Sequence, residues 1–147
     1  MEKYIKENNF EKIKKQIKEN SGEQIVFSSD DDDELNRKVL EKLKIDVLLI
    51  KQQGRKDFQK QRNSGLNHIL AKIAKKNNVV IGIDLDEIIN SKDKQKAEIL
   101  ARIKQNIKLC NKNKLKMKFY GKNKRSIYDL KAFGLILGMP TWMIKRL

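Results

Sequence analysis

The sequence contains one histidine, one cysteine and one proline, and only 6% of its residues are aromatic. His68 alone cannot build a multi-histidine metal site, and Cys110 alone cannot form an internal disulfide, so we expect a reducing compartment. Glycine-rich phosphate loops and the serine-elbow motif are absent. No apolar run approaches the roughly 18–20 residues of a membrane span, and the first residues lack the apolar region of a secretory signal. We therefore expect a cytoplasmic protein that does not bind membranes.

Positive charge is what the chain has in excess. It carries 34 lysines and arginines against 19 acidic residues, which gives a net charge of +15 and a pI near 9.9. Such a charge repels itself and predicts a polyanionic partner. Only six of the basic residues are arginine, the residue that binds phosphate through two parallel hydrogen bonds. We expect Arg37 and Arg102 to be surface positions without a specific contact.

Apolar residues alternate between short continuous runs and stripes at helical spacing. The runs predict strands at 24–28, 46–50, 79–83 and 115–120. The stripes predict helices at 1–20, 34–44, 66–76, 93–113, 126–137 and 141–147. This alternation favours parallel strands joined by helical crossovers. A closed eight-stranded barrel typically needs about 250 residues, so this chain is too short to form one.

The segment 62–76 joins a basic loop to an amphipathic helix. A turn at Asn63, Ser64 and Gly65 precedes the helix. Its apolar stripe, at positions i, i+3, i+4, i+7 and i+8, consists of Leu66, Ile69, Leu70, Ile73 and Ala74. The stripe predicts that these five side chains are buried, while the lysines on the opposite face are exposed.

The residues Arg-Asn-Ser-Gly-Leu-Asn-His-Ile-Leu-Ala-Lys-Ile-Ala at 62–74 resemble the signature segment of the ribonuclease P protein component 3 family, found in archaea with a eukaryotic counterpart. Asn-Val-Val-Ile-Gly-Ile at 78–83 and Tyr-Asp-Leu-Lys-Ala-Phe at 128–133 also fit that family. The resemblance covers about residues 24–140. It implies an α/β fold, namely a shortened, incomplete TIM-type β/α barrel of about four or five mostly parallel strands, without the family's first two β/α units.

Chain length and the apolar pattern predict the domain organisation, and the resemblance implies the function. We expect one domain over 1–147, with an N-terminal helix within 1–22 and β/α units over 24–147. A partner or the N-terminal helix would cover the open edge of the sheet. The family's role implies a non-catalytic subunit of the endoribonuclease ribonuclease P. Such a subunit binds the catalytic RNA and protein component 2 and supports maturation of the 5′ end of precursor tRNA. No cofactor is expected in this chain, and magnesium ions are expected with the RNA.

The chain departs from the family pattern in one place. Gly54-Arg55-Lys56-Asp57 resembles a family segment that normally leads directly into Ser-Gly, but residues 58–63 are inserted here. The family's arginine therefore corresponds to either Arg55 or Arg62. Loops that follow parallel strands emerge at one end of a sheet, so we expect Arg55, Arg62, Lys122, Lys124 and Arg125 to form one positive surface. The full set of candidate RNA-binding residues is Arg55, Lys56, Arg62, Lys75, Lys76, Lys122, Lys124 and Arg125.

Two other functions remain open. Asp30–Asp33, or the carboxylates of Asp84, Asp86 and Glu87, could hold a metal in a barrel hydrolase. We instead interpret the first group as the cap of a helix and the second as a solvated loop. His68, near a helix start, is interpreted as structural. The remaining alternative is a general basic RNA-binding protein.

Overall fold

The computed structural model describes all 147 residues and contains one five-stranded sheet. The strands are β1 (Glu2–Lys6), β2 (Gln24–Ser28), β3 (Val47–Ile50), β4 (Val80–Asp84) and β5 (Met117–Tyr120). All neighbours pair in parallel and in chain order. The helices are α1 (Phe10–Glu19), α2 (Asp33–Lys42), α3 (His68–Lys76), α4 (Leu85–Asn90), α5 (Asp93–Lys112), α6 (Ile127–Leu137) and α7 (Thr141–Ile144). None of these helices combines the length and apolarity that crossing a bilayer requires.

The first residues form a strand, so the predicted N-terminal helix is found only at Phe10–Glu19 and does not include residues 2–6. β1 lies beside β2, with Glu2 opposite Gln24 and Lys6 opposite Ser28. Of the β1 side chains only Ile5 is buried. Before Asn9 the sequence has no helical stripe, and Asn9 caps α1 by accepting hydrogen bonds from two backbone N–H groups. Pairing with β2 decides the conformation of this segment, and β1 is itself the edge.

The helices pack on one face of the sheet. The main core contains side chains from α1, α2, α3, α5, α6 and α7 together with one face of the strands. The other face carries a smaller cluster of Val26, Val47, Leu49 and Tyr120. A Cβ atom at Gly82 would lie only 3.0–3.1 Å from the side chains of Leu49, Tyr120 and Val47. Glycine at this position therefore makes room for the smaller cluster.

The sheet curves so that its two edge strands face each other. Glu2 and Tyr4 of β1 line the same cavity, of about 220 Å³, as Lys118 and Tyr120 of β5. Burial is the main cause of the raised pKa of Tyr120, and the nearby Glu2 carboxylate adds to it. Helices on the outside and a small cluster inside a curved sheet are typical of β/α barrels, and here the barrel stops at five strands.

The buried face of α3 differs from the predicted one. Ile69 is 54% exposed, whereas Leu66, Leu70, Ala71 and Ala74 are buried. The helix begins at His68 because the side chain of Asn67 caps it by accepting from the backbone N–H of Leu70. Leu66 therefore lies in the loop before the helix, and the helical repeat does not determine the direction of its side chain.

The first prediction compares two neighbouring residues of α3. Leu70→Ala should lower the free energy of unfolding by about 2–4 kcal/mol, because it removes a buried aliphatic side chain from the core. Ile69→Ala removes a mostly exposed side chain and should change stability by no more than about 0.5 kcal/mol. Urea denaturation of both variants measures the difference. Equal losses would show that the buried face of α3 is assigned incorrectly.

Candidate nucleic-acid interface

The long loop between β3 and α3 is held by charged side chains buried beneath it. Glu87 accepts hydrogen bonds from the backbone N–H groups of Gln52, at 2.9 and 3.1 Å, and of Gln53, at 3.2 Å. Burial raises the pKa of Glu87, although these N–H groups act in the opposite direction. Arg102 of α5 donates to the carbonyl oxygens of Gln52, at 3.0 Å, and Arg55, at 2.7 Å. The beginning of the loop is thus anchored to α4 and α5.

Two predictions about arginines are wrong. Arg102, predicted at the surface, is 3% exposed and also donates from Nε to Asp57 at 2.9 Å. Arg55, predicted to bind RNA from an exposed surface, is 6% exposed. Its Nε donates to the carbonyl oxygen of Lys51 at 2.6 Å, and its two terminal nitrogens each donate to Asp33 at 3.0 Å. Both guanidinium groups are used to satisfy carbonyl oxygens and carboxylates of the chain itself.

The Ser-Gly turn of the family-like segment lies directly on Arg55. Gly65 has a φ of +77°, and a Cβ there would lie 2.6 Å from both Nη2 of Arg55 and Cγ2 of Ile50. The carbonyl oxygen of Ser64 accepts from the side-chain amides of Gln52 and Asn106, at 2.8 and 3.0 Å. Gly65 is therefore needed for both its conformation and its small size. This part of the segment is structural.

The exposed lysines and arginines predicted to bind RNA lie in different parts of the molecule. Lys56 and Arg62 are exposed in the loop between β3 and α3, where Arg62 forms an ion pair with Asp57 at 3.1 Å. Lys75 and Lys76 are exposed in the last turn of α3. That turn precedes β4, at the end of the sheet where strands begin. These two lysines are therefore separated from the loops that follow the strands.

The loop between β5 and α6 carries the second exposed basic group, Lys122, Lys124 and Arg125. Asp86 holds this loop by accepting from the backbone N–H groups of Lys122, at 2.7 Å, and Asn123, at 3.1 Å. The side-chain amide of Asn123 also donates to Asp86, at 2.7 Å. The bond from Lys122 is the main cause of the lowered pKa of Asp86. Asp86 therefore anchors a basic loop.

Carboxylates occupy the end of the sheet where the strands finish. A cavity of about 440 Å³ there has no hydrophobic lining. Its charged residues are Asp30, Asp31, Asp84, Asp86, Glu87, Lys6 and Lys51. Lys51 pairs with Asp84, and Lys6 pairs with Asp30 at 3.5 Å. The excess of negative charge disfavours phosphate here.

The prediction of one positive surface is wrong for Arg55, because its side chain is buried. Arg62, Lys122, Lys124 and Arg125 are exposed in the two loops. The interpretation of Asp84, Asp86 and Glu87 as a solvated loop is also wrong, because α4 begins there and Asp84 and Glu87 are buried. Asp32 does cap α2, as expected for the aspartate run. No three His, Cys, Asp or Glu side chains converge in a way that could hold a metal.

A groove that the sequence interpretation missed lies between the α3 start and α5. It has a volume of about 580 Å³ and includes Arg62, Lys108, Lys112, Phe58 and His68. His68 is exposed and its side chain makes no hydrogen bond, so its interpretation as a structural histidine is wrong. A signal for the lysines was present, because positions 108 and 112 are one helical turn apart on α5.

No protein-family model matches the chain. It is 31% identical over 109 residues to ribonuclease P protein component 3 of Methanococcus vannielii, covering 74% of this chain and 45% of that protein. The protein of the same name from Methanothermobacter thermautotrophicus is 30% identical over 115 residues, covering 78% and 44%. That from Methanococcoides burtonii is 33% identical over 101 residues, covering 69% and 39%. The aligned part of this chain corresponds to less than half the length of each relative.

Among solved structures, a chain in a cryo-EM structure of archaeal ribonuclease P with mature tRNA superposes with a TM-score of 0.78. The match covers 97% of this chain and 62% of that chain, at 23% identity, and establishes the fold. The protein is thus a basic α/β protein with a shortened, incomplete TIM-type barrel, as predicted. It is a homologue of archaeal ribonuclease P protein component 3, which confirms the resemblance seen at 62–74.

Proposed function

We propose that this chain is a protein subunit of ribonuclease P that binds the catalytic RNA and supports maturation of the 5′ end of precursor tRNA. The observation that carries the proposal is its homology, over about three quarters of its length, to proteins named ribonuclease P protein component 3. The net charge of +15 supports an RNA partner because RNA phosphates would neutralise it. A chain of similar fold occurs in the structure of archaeal ribonuclease P with mature tRNA, which supports the same partners.

In this proposal the chain is non-catalytic and needs no cofactor of its own. The carboxylates that a hydrolase would use make internal contacts: Asp33 binds Arg55, Glu87 binds the start of the long loop, and Asp86 binds the loop after β5. The RNA would then supply the chemistry together with its magnesium ions. We place such a particle in the cytoplasm.

Protein component 2 is the proposed protein partner, and α6 offers a surface for it. Tyr128, Leu135 and Ile136 of α6 are 81%, 63% and 75% exposed, although the inner side of the same helix packs in the core. Exposed patches of large apolar side chains mark protein interfaces. Covering α6 would also protect the neighbouring open edge of β5.

The second prediction tests the function by reconstitution from cognate ribonuclease P RNA, component 2, magnesium and precursor tRNA. Activity should require the RNA and rise when this protein is added. Arg62→Ala and Arg125→Ala should each lower the activity by roughly tenfold, the size expected for one charge-assisted contact. Thermal stability should change little, because Arg62 is partly and Arg125 largely exposed.

Lys42→Ala is the matched control, since Lys42 is exposed in the last turn of α2, at the opposite end of the sheet from both basic loops. Cleavage by the protein without RNA would contradict the proposal and favour a hydrolase. An equal loss in the Lys42 variant would mean that total charge alone matters. Failure to form a complex with component 2 would contradict the proposed pairing.

A further inference from the structure

The groove between the loop at 58–66, the start of α3 and one face of α5 has the features of a binding site for an unpaired nucleotide. Its volume of about 580 Å³ lies within the range of small-molecule sites, roughly 300–1,000 Å³. Phe58, at its rim, is 58% exposed. Arg62, Lys108 and Lys112 supply positive charge. An exposed aromatic ring beside basic side chains is the combination that binds single-stranded nucleic acid.

The negative charges near this groove are already compensated. Asp33, its only acidic lining residue, accepts two hydrogen bonds from Arg55. Asp57, the partner of Arg62, is also bound by Nε of Arg102 and by the backbone N–H of Asn63. The hydrogen bond from Arg102 is the main cause of the lowered pKa of Asp57. Only Nη1 of Arg62 bonds to Asp57, so other guanidinium N–H groups remain available for a phosphate.

The floor of the groove is anchored to α5. The side-chain amide of Gln105 donates to the carbonyl oxygen of Arg62, at 2.9 Å, and to the hydroxyl of Ser64, at 3.1 Å. Asn106, the next residue, holds the carbonyl oxygen of Ser64. Lys108 and Lys112 lie on the same side of α5 as Gln105, one and two turns further along. One helix, α5, therefore positions both the two lysines and the loop that forms the floor of the groove.

We infer that this groove binds an unpaired RNA nucleotide, with its base stacked on Phe58 and its phosphate held by Arg62, Lys108 and Lys112. The inference rests on the proposed function for the identity of the RNA. It goes beyond that function by assigning contacts with a base as well as with phosphates. Stacking tolerates any base, because each has a π face, so the site would select unpaired over paired RNA and would be largely indifferent to sequence.

The experiment measures binding of the full chain to a fluorescent, unstructured single-stranded RNA and to a duplex of the same sequence. Phe58→Leu, which keeps an apolar side chain but no aromatic ring, should weaken single-strand binding by about tenfold, equivalent to about 1.4 kcal/mol. Phe58→Tyr should bind like the unaltered chain. Duplex binding should be the same for all three. Because Phe58 is exposed, neither change should affect folding.

Three outcomes would overturn the inference. In the first, Phe58→Leu binds single-stranded RNA as tightly as the unaltered chain does. In the second, Phe58→Leu weakens duplex binding as much as it weakens single-strand binding. In the third, Phe58→Leu loses binding to component 2 and keeps its binding to RNA. Reconstitution with ribonuclease P RNA separates this inference from the proposed function. If Phe58→Leu binds single strands normally while the unaltered chain reconstitutes activity, the nucleotide site fails and the proposed function stands. If Phe58-dependent single-strand binding is found without reconstitution, the site stands and the proposed function fails.

Discussion

Replacing Arg102 by alanine is expected to lower the free energy of unfolding by about 3–5 kcal/mol. The substitution leaves the carbonyl oxygens of Gln52 and Arg55 without their donor, and it removes one of the three hydrogen-bond donors to Asp57. An unsatisfied buried acceptor costs roughly 1–3 kcal/mol, and two carbonyl groups are affected. Chemical denaturation measures the loss.

Two further variants show whether geometry or charge is responsible. Arg102→Lys keeps the charge but cannot donate in three directions from a planar group, so it should recover only part of the stability. Arg37→Ala removes an arginine whose contact is an exposed pair with Glu41, and its cost should stay within about 0.5 kcal/mol. A cost below about 1 kcal/mol for Arg102→Ala would contradict the role of Arg102 in holding the long loop.

Affinity for ribonuclease P RNA should fall by about 10³-fold or more between 50 and 200 mM salt if the chain neutralises six or more phosphates. The exposed basic residues of the two loops and of α5 supply enough candidates for such a number. A logarithmic plot of affinity against salt should be linear, with a slope of about 0.7–0.9 per phosphate contacted. Filter binding at several salt concentrations measures it.

Single substitutions locate the charges that produce this slope. Lys108→Gln should reduce the slope by roughly one contact, whereas Lys42→Gln, outside both the groove and the basic loops, should leave it unchanged. A flat salt dependence would mean that phosphate neutralisation is not the main source of affinity. An equal reduction for both substitutions would mean that the groove makes no specific contribution.

Local patterns in the sequence were sufficient for most elements of the fold. The long α5 was predicted at 93–113 and is found at Asp93–Lys112. Gly138 ends α6 in the left-handed conformation, and Pro140 precedes α7, both as their residue types predict. These features follow from spacing, capping and φ preferences within a few residues. The family was equally local, because it was recognised from the residues at 62–74.

The placement of the charged residues required the tertiary structure. Composition shows that the chain is basic, but it does not show that Arg55 and Arg102 are buried while Lys108 and Lys112 line a groove. An arginine that binds a carbonyl oxygen many positions away looks the same in the sequence as one that faces solvent.

The sequence by itself therefore determined the alternation of elements, the family and the positive charge. Tertiary structure decided that residues 2–6 form an edge strand and that carboxylates of α4 bind the backbone of both basic loops. It also decided which arginines are buried and which are exposed. The physical reason is that helices and caps depend on neighbours within one or two turns, whereas strand pairing and the satisfaction of buried polar groups depend on partners distant in the chain.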